Sequence, residues 1–307
     1  MEEPVVLGID IGGSHITAAL VNLEEGTLIQ DSIKRSSVNS RGDAEEIFTA
    51  WCKVINDAFG NNLSGERRIG IAMPGPFDYE TGISLIKDQD KFSALYQLNI
   101  KKELAKRLNM PPSDIQFIND ATAFMQGEVF SGAAKGYKRA LGLTLGTGLG
   151  SAIAVNGVAK DAELWNSSFL GGIAEDYLST RWFVSKYNNL TGKEISGVKE
   201  LAAIVNTDPF AKQIFNEFGR ALGHFLADFI KANKSEIVVL GGNISKAFNL
   251  FAPHLISNLK AFHLNTEIKM TELSEHAALI GAASCWIQTI HEPEKFLVVD
   301  KIHPTSI

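Results

Sequence analysis

The apolar positions of this chain fall into short unbroken runs separated by glycine turns near its start, and into helix-spaced stripes further on. Val5 to Ile9 is the first run. It ends on Asp10-Ile-Gly-Gly-Ser14, and Ile16-Thr-Ala-Ala-Leu-Val-Asn22 and Thr27-Leu-Ile-Gln-Asp-Ser-Ile33 follow. Runs of this length bounded by turn residues predict three strands joined by tight turns. From 44 to 59, Ile47, Phe48, Trp51, Val54, Ile55, Ala58 and Phe59 recur at helical spacing and predict a helix with one buried face. Arg68-Ile-Gly-Ile-Ala-Met73 and Ile115-Gln-Phe-Ile118 predict buried strands, and Asn119-Asp120 opens a helix running toward Gly132. A long helix is predicted from Pro209 to Ala232, burying Ile214, Phe215, Phe218, Leu222, Phe225, Leu226, Phe229 and Ile230. Glu236-Ile-Val-Val-Leu240 follows as a strand closing on Gly241-Gly-Asn-Ile-Ser245, and from about Gln288 the periodicity fades into a peripheral tail.

The opening pattern returns at residue 139. Laid side by side without a gap, Leu7 to Asn22 (LGIDIGGSHITAALVN) and Leu141 to Asn156 (LGLTLGTGLGSAIAVN) share Leu, Gly, Gly, Ala, Val and Asn in register, at an offset of 134 residues. Repetition on this scale implies two homologous lobes, each opening on a strand, a glycine turn and a second strand, with the turns facing each other. Two unrelated hairpins are the alternative. The expected organisation is an N-terminal lobe over 1–118, a C-terminal lobe over 119–287, and a tail over 288–307 that packs on the N-terminal lobe.

Composition narrows the function. With 307 residues, 45% hydrophobic and 21% charged, the chain can bury a real core and is not a disordered one. A net charge of −6 without long runs of Lys or Arg argues against a nucleic-acid partner. No apolar run reaches membrane-spanning length, and no basic segment precedes an apolar one at the start, so neither membrane anchorage nor secretion is expected. Cys52 and Cys285 are too few for a disulfide framework and fit a reducing cytoplasm.

The chemistry gathers at the strand ends. A glycine turn between strands lets backbone N–H groups approach an anionic oxygen. Gly12, Gly13 and Ser14 form one such turn, with Thr17 on the strand leaving it, and Gly146, Thr147 and Gly148 form the other. A single loop of this kind is usually only a turn; two are a stronger sign of phosphate. Asp10 closes an apolar strand, where a carboxylate is costly unless hydrated or paired, and suits Mg²⁺ held through water or, alternatively, a turn cap. Asp120 stands at a strand's C-terminal end and a helix's first turn, where ligands gather in α/β proteins. It can cap the helix, or accept the proton of a hydroxyl attacking a γ-phosphoryl group. Gly241, Gly242 and Asn243 form either an ordinary strand-to-helix turn or a bed for an adenine ring or ribose. The histidines show no metal-ligand spacing.

Together, Asp10-x-Gly-Gly-Ser, Asn119-Asp120-Ala, Leu145-Gly-Thr-Gly-Leu-Gly150 and Leu240-Gly-Gly-Asn-Ile-Ser245 resemble the ordered motifs of the ROK family (repressors, ORF proteins and sugar kinases), within the superfamily of actin-like ATPases and hexokinases. The resemblance covers roughly residues 5 to 286. It implies an α/β fold of two ribonuclease H-like lobes, mixed β-sheets flanked by helices, with an active-site cleft between the lobes. It also implies an ATP- and Mg²⁺-dependent, glucokinase-like sugar kinase. Asp120 would be the general base, Asn119 would bind sugar hydroxyls, the two glycine loops would hold ATP phosphates, and Gly241 to Asn243 would flank adenosine. Pro74-Gly75-Pro76 resembles the family's turn on the sugar side.

The sugar half departs from the pattern. Where the family carries Gly-Glu-x-Gly-His before a cysteine-rich zinc loop, this chain has Ala162-Glu163-Leu-Trp-Asn166 and no cysteine cluster. Glu163 keeps the sugar-binding position, Asn166 stands in for the histidine, and no structural zinc is expected. Glu175 or Asp176 is a second candidate for sugar contact, although acids before a helix also serve its dipole. The resemblance leaves room for a homodimer, for polyphosphate in place of ATP, and for two other functions: a non-catalytic sugar-sensing ROK protein, or an actin-like ATPase of different purpose. Sensing repressors of the family place a DNA-binding domain before the first loop, and here nine residues precede Asp10.

Overall fold

The computed structural model describes residues 5–60, 67–87 and 91–288. From residue 289 onward, the tail expected from the sequence lies outside the described residues. Strands β1 (Val5–Ile11), β2 (His15–Asn22), β3 (Thr27–Leu28) and β4 (Lys34–Ser37) open the chain, followed by helix α1 (Ala44–Phe59). Then come β5 (Ile69–Met73), β6 (Phe77–Asp78), β7 (Ile83–Ser84), α2 (Ile100–Leu108), β8 (Ile115–Asn119) and α3 (Asp120–Ser131). A second series runs β9 (Arg139–Leu145), β10 (Leu149–Val155), β11 (Val158–Asp161), β12 (Ser168–Phe169), β13 (Gly172–Ile173), α4 (Ala174–Tyr177), α5 (Thr180–Thr191) and α6 (Val198–Ala203). It ends with α7 (Pro209–Asn233), β14 (Ile237–Gly241), α8 (Phe248–Ala261), β15 (Glu267–Met270) and α9 (Ala277–Gln288). Contacts divide the chain into two compact units. Of the described residues, those up to 135 belong to the first with 157–159 and 275–288, and 136–156 with 160–274 form the second.

In the first unit the sheet order is β3-β2-β1-β5-β8, with β4 also on β2. β1 and β2 are antiparallel, and β5 and β8 run parallel to β1. Helix α1 covers this sheet with the face read from its spacing: Ile47, Phe48, Trp51, Val54, Ile55, Ala58 and Phe59 are all buried. Asp43 caps it, accepting from the Glu46 N–H at 2.8 Å, and Gly60 ends it at φ 63°. The third strand is shorter than its apolar pattern suggests. It stops at Leu28 because the Ser32 hydroxyl accepts from the Leu20 N–H (2.8 Å) and donates to the Ile29 carbonyl (2.6 Å), folding 30–32 into a 3₁₀ turn. Pairing with β2 resumes in β4, which the sequence pattern does not reveal.

Helix α9 returns to this unit from the far end of the chain, and glycine makes its seat. A Cβ on Gly8 of β1 would strike the Leu279 carbonyl, one on Gly70 of β5 the Ala282 carbonyl, and one on Gly127 of α3 the Ala277 carbonyl. Gly281 of α9 lies in the same way against the Ala123 carbonyl of α3. Backbone thus meets backbone with no side chain between them. The Trp286 indole N–H donates to the Ile69 carbonyl at 3.2 Å.

The second unit repeats the plan. Its sheet runs β11-β10-β9-β14-β15, with β9 and β10 antiparallel and β14 parallel to both β9 and β15. Helix α7 starts at Pro209, where Asp208 accepts from the Phe210 and Ala211 N–H groups at 2.8 and 3.3 Å, and buries Phe215, Phe218, Leu222 and Phe225 in the core. β1 and β9 have matching bounds at the 134-residue offset, and β2 and β10 start in step. Their pairing does not stay in step. Ile11 faces Ile16 across four turn residues, whereas Leu145 faces Leu149 across three. The ungapped repeat therefore hides a one-residue slip, which exchanges the partners of every residue on the second strand. Thr17 faces Asp10; Ser151, its counterpart by sequence, faces Leu143.

Candidate functional site

In the first unit the candidates converge on the ends of β1, β2 and β8. Cross-strand pairing sets Arg35 of β4, Thr17 of β2, Asp10 of β1 and Ala72 of β5 in one row, hence on one face. Asp120 follows two residues after Ile118, the β8 partner of Ala72. By accessible surface Asp10 is half-buried and Asp120 is open to solvent, although both carboxyls stand deep among protein atoms. Burial pushes the Asp10 carboxyl up to about 6; the Asp120 charge adds to the rise, Arg35 opposes it, and Glu275 adds slightly. Arg35 and Glu275 pair at 3.0 Å on the surface. Burial also raises the Asp120 carboxyl, opposed by the Ala121 N–H, which donates to Oδ1 at 2.8 Å, and by the charge of Lys91. A carboxylate raised in this way is a better proton acceptor than an ordinary one.

Among the described residues, no cluster of three or more His, Cys, Asp or Glu could hold a metal. The Asp10 and Asp120 carboxylates and the Thr17 hydroxyl fit a cation that brings most of its ligands with it, as Mg²⁺ does with phosphate and water.

The first glycine loop is a closed turn, its Gly12 N–H donating to the His15 carbonyl at 2.9 Å. Ser14 and His15 are bonded side chain to side chain at 2.8 Å. Neither Gly12 nor Gly13 lies in the left-handed region, so their freedom of dihedral angle is not what the loop uses; the missing Cβ is. On Gly13 the open face looks toward the Lys91 side chain, whose Cδ would lie 3.3 Å from a Cβ.

Asn119 caps α3, its Oδ1 accepting from the Thr122 N–H at 3.0 Å. Its amide is left to donate to the Tyr79 hydroxyl at 3.3 Å, and Tyr79 in turn donates to the Met73 carbonyl at 3.1 Å. A Cβ on Gly75 would lie 3.3 Å from the same hydroxyl. Tyr79 therefore joins the Pro74-Gly75-Pro76 turn to Asn119. Sequence reading missed it; its only signal was a lone tyrosine just after that turn.

In the second unit, the Gly146 carbonyl accepts from both the N–H and the hydroxyl of Thr180, at 2.8 and 2.9 Å, which fixes the loop to the start of α5. Thr147 at the tip is exposed. Glu175 braces the loop from beneath: its Oε2 accepts from the Leu149 N–H at 3.0 Å and would lie 2.6 Å from a Cβ on Gly148, while Oε1 pairs with Arg181 at 2.8 Å. Asp176 caps α4 through the Ile173 N–H at 3.1 Å. Gly242, at φ 83°, presses against Leu145, the residue before the loop, where no Cβ would fit. Asn243 beside it is exposed and makes no capping bond. Glu163 and Asn166 stand exposed on a turn fastened to β10 by Leu164, whose N–H donates to the Ser151 hydroxyl at 2.9 Å. Glu163 itself has φ 49°.

Comparison with known proteins agrees with these motifs. The sequence profile of the ROK family matches residues 6–161 and 171–289. A glucokinase of Thermotoga maritima is 27% identical over 91% of this chain and 96% of its own length. The N-acetylgalactosamine kinase AgaK of Shewanella sp. is 27% identical over 80% of this chain and 83% of its own. A ROK family glucokinase from Streptomyces griseus, solved with glucose and AMPPNP, superposes with a TM-score of 0.74 at 24% identity, covering 92% of this chain and 99% of that one. The fold is thus that of the two-lobed, ribonuclease H-like sugar kinases. No helix of the described residues is long and apolar enough to cross a membrane.

Proposed function

This chain belongs to the ROK family, and from that membership we propose that it is a sugar kinase which transfers the γ-phosphoryl group of ATP to a hydroxyl of a hexose or N-acetylhexosamine. The observation that carries the reading is the acid pair of the first unit, Asp10 and Asp120, both raised above the ordinary carboxylate value, beside a glycine turn. Asp120 is the general base: its rise above the ordinary carboxylate range makes it a competent proton acceptor, and the Ala121 N–H holds Oδ1 so that one oxygen is oriented. Asn119, steadied by Thr122 and Tyr79, offers its amide to sugar hydroxyls. Gly12, Gly13 and Ser14 supply backbone and hydroxyl donors to phosphate, and Gly146 to Gly148 do the same in the second unit. Magnesium accompanying the nucleotide would be held through water by Asp10, with Thr17 beside it, and would supply charge neutralisation on the phosphates.

The second unit divides its labour through the slipped register. Thr144 stands at the position corresponding to Asp10, so the repeat carries no second acid there. Ser151, freed from facing that position, anchors the turn that presents Glu163 and Asn166. These two are the sugar contacts proposed on that unit, and Asn243 with Gly241 and Gly242 the adenosine contacts.

The test is ADP release coupled to a panel of hexoses and N-acetylhexosamines, with polyphosphate offered in place of ATP in a parallel series. Sugar-dependent turnover with ATP is expected, and Asp120→Asn should lower kcat by about 10³-fold. Full activity in that variant, or ATP hydrolysis indifferent to sugar, overturns the reading.

A further inference from the structure

Lys91 is a cation that neither the glycine motifs nor the acid pair account for. It sits just before Phe92, and Phe92 is fixed three ways. Its ring is fully buried against Trp51 at 5.6 Å between centroids, its N–H donates to the Ser40 carbonyl at 2.6 Å, and its backbone takes the left-handed conformation at φ 57°. A non-glycine residue held there is over-determined by its surroundings, so the direction in which the neighbouring Lys91 leaves the chain is set. That direction is toward the first phosphate loop: the Lys91 stem lies against the bare face of Gly13, its Cδ 3.3 Å from where a Cβ would stand. Its charge acts on the carboxylate of Asp120. Lys91 is partly buried, and among the described residues it has neither a hydrogen-bond nor an ion-pair partner. A partly buried lysine with no partner among the described residues, its stem over the first glycine turn and its charge within electrostatic reach of Asp120, is poised for an anion that arrives with the substrate.

We propose that Lys91 is a further catalytic residue of the phosphoryl transfer, its ammonium binding the non-bridging oxygens of the γ-phosphoryl group between the Gly13 turn and Asp120. The proposal rests on the sugar-kinase reading for its acceptor but not for its anion. In the step, the sugar oxygen forms its bond to the γ-phosphorus and the hydroxyl proton passes to Asp120. The bond from the γ-phosphorus to the β-bridging oxygen breaks, and its electron pair leaves with ADP. Lys91 keeps its proton throughout and meets the charge on the equatorial oxygens as the group moves. It also explains why residue 13 is glycine although its φ is unremarkable for any residue: a side chain there would crowd the lysine stem away from the loop.

The experiment compares wild type, Lys91→Met and Lys91→Arg, using Mg²⁺–AMPPNP and Mg²⁺–ADP binding by calorimetry and steady-state kinetics on the best sugar. Methionine keeps the apolar stem against Gly13 and removes only the charge. Expected for Lys91→Met are a fall in AMPPNP affinity of about tenfold with ADP affinity within threefold, a fall in kcat of about 10²-fold, and a nearly unchanged sugar KM, with much of the loss restored in Lys91→Arg. A Lys91→Met variant with an unchanged AMPPNP-to-ADP ratio overturns the proposal, whether turnover stays within threefold or only the sugar KM rises. Wild type that turns over no sugar, yet binds AMPPNP in a Lys91-dependent way, would overturn the sugar-kinase reading and uphold the role of Lys91 as γ-phosphate ligand.

Discussion

Asp10 and Asp120 are coupled by charge: desolvation by the surrounding protein raises both carboxyls, and the charge of Asp120 lifts Asp10 further, to about 6. Each acid has its own opposing cation, Arg35 for Asp10 and Lys91 for Asp120. A pair of like charges is costly to the empty fold, and under the proposed function that cost is offset when magnesium and the substrate arrive.

That cost is measurable in the free protein. Because the folded value of Asp10 lies above its ordinary 3.8, its contribution to stability is complete below about pH 3.8 and is lost as pH rises through about 6. The displacement corresponds to at most about 3 kcal/mol at about 1.4 kcal/mol per pH unit. Without nucleotide or Mg²⁺, Asp10→Asn should therefore melt above wild type at pH 7.5, with the gap closing by pH 4. A gap that is the same at both pH values would show that Asp10 is not the group responsible.

Gly148→Ala tests the brace under the second loop. The added methyl would stand 2.6 Å from Glu175 Oε2, too close for any real contact, so the carboxylate must leave the Leu149 N–H or the loop must shift. The KM for ATP should rise about tenfold, with the melting temperature falling by the equivalent of about 1–2 kcal/mol for a lost charge-assisted bond. An unaltered KM would free this loop from the nucleotide role.

Tyr79→Phe removes one hydroxyl and with it the link between Asn119 and the Met73 carbonyl. About 1 kcal/mol of stability should go, and the sugar KM should rise several-fold while the KM for ATP stays put. Equal rises in both would argue for a general loosening of the unit rather than a role in orienting Asn119.

Much of this was legible in the sequence, and the exceptions have physical causes. The α1 face, the extent of α7 and the two hairpins follow from periodicity alone, since burial of apolar side chains sets them locally. The end of β3 was not legible, because one serine hydroxyl decides it. Nor was the register slip between the repeats: the strand bounds stay in place and only who faces whom changes. Tyr79 and Lys91 carry no motif; they reach the acid pair's neighbourhood through the chain path, which composition does not encode. At Gly12 and Gly13 the sequence points to both space and backbone freedom, and the structure uses the space.

Gly281→Val should be the most disruptive of these changes. Its Cβ has no room against the Ala123 carbonyl, so α9 must back away from α3, and a loss of at least about 3 kcal/mol is expected for forced overpacking. Since α3 begins at Asp120, kcat should fall together with the melting temperature. A stable variant of normal activity would mean that α9 does not hold the helix that begins at Asp120.

The return of α9 also fixes an order of events during synthesis. A growing chain that has reached residue 135 has every strand of the first sheet but not the helix that seats on Gly8, Gly70 and Gly127. More than a hundred further residues must leave the ribosome before that groove is filled. The helix that begins at Asp120 is completed by a segment that follows the whole second unit, so Asp120 waits in an unfinished core while residues 136–274 are made.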